Sequence, residues 1–244
     1  MKPKLIIGLA GLALMLGGTG CKTLSRLDSS YWGPFHQTHN HYVAPTGIGH
    51  VRRVAVMPLV AGRGNSLTIR GTELLQPVLN EELARAGVFE SVPLTKRKLE
   101  YLTGAPEVRP DEPLPNNFAE ILQRMNKRDD AEEVCQAVLF CELTTYRPYP
   151  PMALGWKLHL FDLKSGELLW AFDETFDAGN PEVSNSLRRF LRTHRLVTDP
   201  AAHEWMVLNS PRHLSRFSLA MALDTLRKNI PKEPLETADN EDSQ

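Results

Sequence analysis

The chain has 244 residues, is 42% hydrophobic and 23% charged, and sets 28 Lys and Arg against 29 Asp and Glu. This composition suits one globular domain of ordinary size and excludes a disordered chain. A net charge of −1 supplies no global field for nucleic acid, and three cysteines cannot form a disulfide scaffold at this length. Charge is nevertheless uneven along the chain. Lys2 and Lys4 form a cationic start, Leu5 to Leu16 (LIIGLAGLALML) is an apolar run, and the small residues Gly17, Gly18, Thr19 and Gly20 precede Cys21. That is the plan of a secretory signal, and the run falls short of the roughly 20 apolar residues a spanning helix needs.

A cysteine directly after small residues at the end of such a run resembles the lipobox of bacterial lipoproteins, although Gly18 stands where that family prefers an aliphatic residue. The resemblance implies that Cys21 is diacylated on sulfur, that residues 1–20 are removed, and that the new amine is acylated. Removing the 20-residue signal with its two lysines leaves 224 residues at net charge −3. Each buried CH₂ contributes about 0.8 kcal/mol, so two or three acyl chains anchor the protein durably. Lys22 follows, where an aspartate is the inner-membrane retention signal of enteric bacteria, so the expected location is the outer membrane, facing the periplasm.

Residues 22–50 hold Pro and Gly at intervals without a sustained period, so 21–50 reads as a lipidated cysteine on a flexible tether, able to wander about 30 Å. Within it His36, His39 and His41 form an HxxHxH cluster near His50, which reads as solvated histidines and not as a metal site. Val51 to Val60 (VRRVAVMPLV) is a β-rich apolar run. Leu75, Val78, Leu79, Leu83 and Ala86 recur at helical spacing up to Gly87, and Pro77 belongs in the first turn or kinks the helix. Phe89 to Val92 reads as a short strand, and Thr95 as the N-cap of a helix over 96–102. After a Pro-rich loop, Phe118, Ile121, Leu122 and Met125 form an amphipathic helix, and Ala137 to Tyr146 a third strand. Cys135 and Cys141 are six apart and read as buried free thiols.

The segments Leu154 to Leu163 and Glu167 to Asp177 alternate, and Lys164-Ser165-Gly166 joins them as a hairpin loop. The register this predicts places Leu160 opposite Trp170, Leu158 opposite Phe172 and Lys157 opposite Asp173. Helices follow over 183–195, around Trp205, and over 214–228 behind Ser210-Pro211; residues 229–244 read as an acidic, disordered tail. The predicted fold class is α/β: one domain over 51–228 with a mixed sheet, a C-terminal hairpin at about 154–177, helices packed on it and further C-terminal helices.

Cys21, the linker, the strand RRVAVMPLV, the segment LARAGVFESVP, the stretch AEEVCQAVLFCEL and a hairpin of the form L-x-L-x-D-x-x-x-G-E-x-x-W together resemble a group of envelope lipoproteins. The group includes the curli-secretion lipoprotein, the lipoprotein activators of penicillin-binding proteins and the amino-terminal domain of the Tol-system β-propeller protein. The resemblance covers about residues 51–177. It implies an α/β body that binds or helps assemble another envelope component, without catalysis and without a cofactor. No alternating spanning strands of a secretion pore accompany it.

The sequence carries no GxSxG elbow, and Gly62-Arg63-Gly64-Asn65-Ser66 lacks the GK[ST] ending of a phosphate loop. Two features point to contact with a partner. Arg188, Arg189, Arg192 and Arg195 lie on one helix, with 188, 192 and 195 on a shared face suited to acidic groups. Tyr146-Arg147-Pro148-Tyr149-Pro150-Pro151-Met152 is a stiff loop of residue types that interface cores enrich, which makes Tyr146, Arg147, Tyr149 and Met152 the leading contact residues. The competing reading is a periplasmic hydrolase or metal-dependent enzyme using Asp162, Asp173, Glu174 and Asp177 or the linker histidines. A structural lipoprotein without a dedicated partner is the third.

Overall fold

The computed structural model describes residues 33–62, 66–112, 114–115, 117–122, 134–194, 196 and 208–229. Cys21, the expected signal segment, Arg195, Trp205 and the expected acidic tail from residue 230 lie outside them. Strands β1 (His41–Val43), β2 (Arg53–Val56), β3 (Val60–Ala61), β4 (Glu90–Pro93), β5 (Ala137–Arg147), β6 (Ala153–Asp162) and β7 (Leu168–Asp177) form one mixed sheet. The spatial order is β1-β7-β6-β5-β2-β4, with β3 also on β5. Pairs β5–β2, β2–β4 and β5–β3 are parallel, and β1–β7, β7–β6 and β6–β5 antiparallel. Helices α1 (Ser66–Ala86), α2 (Lys96–Thr103), α3 (Pro181–Thr193) and α4 (Pro211–Arg227) pack on the sheet, as the α/β reading requires.

The first apolar run is split. Pro58 has no N–H to give the ladder, and the next amide, Leu59 N, donates instead to Gln76 Oε1 at 2.6 Å. Pro77 sits inside α1 and not in its first turn, because the helix begins nine residues earlier than the apolar repeat indicates. Pro77 and Glu73 are both exposed, so the carbonyl that loses its intrahelical donor faces water. Thr95 caps α2 as expected, its hydroxyl accepting from Lys98 N.

The hairpin adopts the predicted register: Leu160 faces Trp170, Leu158 faces Phe172 and Lys157 faces Asp173. A bulge after Leu160 then pairs Phe161 with Leu168, and Gly166 takes φ +72° in the turn. One sheet face carries Leu139, Cys141, Leu143, Trp156, Leu158, Leu160, Trp170 and Phe172, buried under α1, α3 and α4. Trp156 Nε1 donates to Ser218 Oγ at 2.7 Å and Trp170 Nε1 to Thr225 Oγ1 at 3.1 Å. Ser218 and Thr225 are two turns apart on one face of α4, so the two indoles set that helix along β6 and β7 while satisfying their own buried N–H groups. The opposite sheet face is covered only in part: Ala55, Met57, Val138 and Phe140 pack with Leu99 and Leu102 of α2 and with Phe118 and Leu122.

The tether reading fails from residue 33 onward. Residues 33–50 lie against the body: β1 pairs with β7, and Ala44 and Ile48 are buried. A three-residue strand is too short to show a period, which is why the sequence reads as linker.

Candidate functional site

The loop from Arg147 to Met152 joins β5 to β6. A bulge between Leu143 and Thr145 inserts one residue into β5, so Tyr146 falls on the same face as Leu143 instead of the opposite one. Tyr146 is therefore buried, 6% exposed, beneath α1, where a Cβ on Gly71 would lie 2.7 Å from its Cγ. Burial, and then the neighbouring Tyr149, hold its phenol above the ordinary value, so it stays neutral. Met152 is buried as well. These two residues, expected as contacts, are anchors of the loop. Arg147 braces it, donating through Nε to Pro151 O at 2.5 Å and through Nη2 to Asp177 Oδ2 at 2.8 Å. Tyr149 is 71% exposed and projects, with Arg147, Pro150 and Pro151 also exposed beside it. Leu67 and Leu74 lie one turn either side of Gly71 on α1 and are exposed.

The arginine face of α3 is less open than its spacing indicates. Arg189 stacks over Phe35 at 4.8 Å from the ring centre. Arg188 is half-buried, with Nη1 3.4 Å from Asn185 Oδ1, and Arg192 is half-buried and engaged. Arg195 lies outside the described residues. Sequence periodicity could not show that residues 33–36 return to cover this helix.

The hairpin carboxylates do not converge. Glu174 faces the helices, whereas Asp173 lies on the other side of the sheet beside Lys157. Asp177 Oδ1 accepts from Gly179 N and Oδ2 from Arg147. Asp162 Oδ1 accepts from Lys164 N, Ser165 N and Ser165 Oγ, and Oδ2 lies 3.2 Å from His50 Nε2. Burial alone raises the Asp162 pKa, but the donors Ser165, His50 and Lys164 outweigh it and hold the carboxyl below its ordinary range. A cavity of about 270 Å³ beside it is lined chiefly by Leu114, Phe118, Phe140, Phe161 and Leu163.

Of the linker histidines, His36 Nε2 lies 2.9 Å from Glu174 Oε1, while His39 and His41 are exposed. Among the described residues no three His, Cys, Asp or Glu side chains are placed to hold a metal ion. Cys135 and Cys141 are buried thiols outside any disulfide, and desolvation pushes the Cys141 thiol far up. They pack on opposite faces of the sheet, because Cys135 precedes the strand and escapes its alternation.

No family model matches the sequence, and no curated protein matches it. Solved structures do align. The PelC dodecamer of Paraburkholderia phytofirmans is 12% identical, with 79% of this chain and 96% of that chain covered at a TM-score of 0.43. Lipoprotein GNA1162 of Neisseria meningitidis is 18% identical, covering 62% and 96% at 0.35. The LpoB C-terminal domain of Salmonella enterica is 15% identical, covering 52% and 84% at 0.32. At these identities and scores none carries a function to this chain.

Proposed function

We propose that the protein is a non-catalytic lipoprotein of a bacterial envelope, anchored through acylated Cys21, facing the periplasm from the outer membrane, and binding another envelope protein. The observation that carries this reading is the N-terminal segment, in which Lys2 and Lys4, a twelve-residue apolar run and four small residues lead directly to Cys21. The binding surface in this reading is narrower than the whole loop: Tyr149, with Leu67 and Leu74 on α1. A braced loop presents Tyr149 at little cost in ordering entropy. The dispersal of Asp162, Asp173, Glu174 and Asp177 over two faces, each beside its own partner, favours binding over hydrolysis.

Mass measurement of the N-terminal peptide from membranes tests the anchor: the expected peptide starts at Cys21 and carries acyl chains. An unmodified Cys21 overturns it. A photo-crosslinking residue at Tyr149 tests the contact against the same residue at Tyr101, which is 77% exposed on α2. The expected outcome is a discrete adduct from position 149 alone, and equal labelling at both positions overturns the loop assignment.

A further inference from the structure

Residues 33–43 cross the open edge of β7 and the flank of α3. Pro34 O accepts from Asn185 Nδ2 at 3.3 Å, and His36 N lies 2.9 Å from Ser186 Oγ and 3.3 Å from Glu182 O. Phe35 lies under Arg189, and His36 stacks edge-on against Phe176 at 5.1 Å while its Nε2 meets Glu174. Farther along, Asp173 N donates to Asn40 O, and β1 completes the pairing. No side chain from 33 to 43 is fully buried, whereas Ala44, Ile48 and Val51 just after it are. Val43 at its end packs partly buried against the core; the rest of the segment is held by backbone, ring and charge contacts on a root that is fixed by apolar burial, the signature of a unit that opens before the domain does. The core does not depend on it, since Phe176 remains packed against Phe172 and Phe217.

We propose that residues 33–43 are a releasable strap occupying a strand-docking site, and that the site accepts an extended protein segment carrying an aromatic residue followed directly by a cationic or imidazole side chain. Release bares the unpaired N–H and C=O groups of β7 along Trp170 to Asp173, a template for an added strand. It also leaves the Glu174 carboxylate, whose side chain is 13% exposed and whose Oε2 has no hydrogen-bond partner among the described residues, without the His36 ring beside it. The strap defines what fits: a ring against Arg189 at the Phe35 position, a proton-bearing group against Glu174 at the His36 position, and β-formers opposite Phe172 to Trp170. This holds whether or not Cys21 carries lipid.

Hydrogen exchange on the full chain, followed at the His36 and Asp173 amides, tests the release. Both are expected to exchange at least about tenfold faster than the β5–β6 amides, and faster again in His36→Ala and in Glu174→Gln with β5–β6 unchanged. Exchange at the core rate overturns the strap. A labelled synthetic peptide of residues 33–44 is then added to the His36→Ala chain and to the unaltered chain. Binding to the variant roughly tenfold tighter than to the unaltered chain, and weakened by adding Glu174→Gln, is expected. Absence of binding to the His36→Ala chain overturns the docking site.

Discussion

The two halves of the sheet are built on different terms. In the parallel half, β2 and β5 carry buried apolar residues on both faces, Ala55 and Val138 on one side and Val54, Val56 and Leu139 on the other. Parallel neighbours need crossovers, and those crossovers deliver α1 to one face and α2 to the other. In the antiparallel half, β6 and β7 are joined by a tight turn, so no helix is carried across. Trp156, Leu158 and Leu160 face α4, while Lys157, His159 and Asp173 form an outer face that is only half-covered or exposed. Topology decides which strands are sealed on both faces, and the outer face of β6 and β7 is left without a helix carried over it.

This contrast can be broken by neighbouring substitutions. Trp156→Ala removes a fully buried indole and leaves Ser218 without the N–H it accepts, with an expected cost of about 3–5 kcal/mol by urea unfolding. Lys157→Ala, one residue away on the outer face, is expected to cost under about 1 kcal/mol. Similar losses at both positions contradict the one-sided packing of β6. Gly71→Ala drives a methyl into Tyr146 and is expected to cost about 1–3 kcal/mol, and its failure to do so places Tyr146 outside the core.

A smaller effect is expected at the hairpin tip. Asp162→Asn weakens the turn by about 1–2 kcal/mol near neutral pH. Because the folded Asp162 pKa lies below its ordinary value, its contribution is present above the unfolded pKa and disappears as pH falls through the folded one. Unfolding curves of the two proteins therefore converge as pH falls below the ordinary carboxylate range. Smallest is a histidine slope. Burial, and then Lys157, depress His159, and burial with Arg216 and Arg212 depresses His213. The unfolded chain then binds more protons just below the ordinary imidazole value, so stability declines as pH falls there. His159→Gln is expected to flatten that slope, and a slope left unaltered removes His159 as its source.

Much of the architecture is legible in single residues. Alternation in Leu154 to Asp177 with Gly166 between is sufficient for the hairpin and its register, because a one-residue slip places Trp170 and Phe172 in water. Thr95 as a cap is equally local. The loop is half legible. The exposure of Tyr149 follows from its type and its proline neighbours, but the burial of Tyr146 does not, because a single extra residue at Thr144 reverses the alternation, and nothing in Leu-Thr-Thr-Tyr announces a bulge.

What the sequence alone determined is therefore local and periodic: the apolar run that leads to Cys21, the α/β order, the hairpin pairing, and which side of the hairpin strands is apolar. What only the tertiary structure decided depends on contacts between distant residues. His36 meets Glu174 across 138 positions, Phe35 slides under Arg189, and Gly71 admits Tyr146. Each such contact depends on the packed fold bringing distant residues together, so no window on the chain contains it.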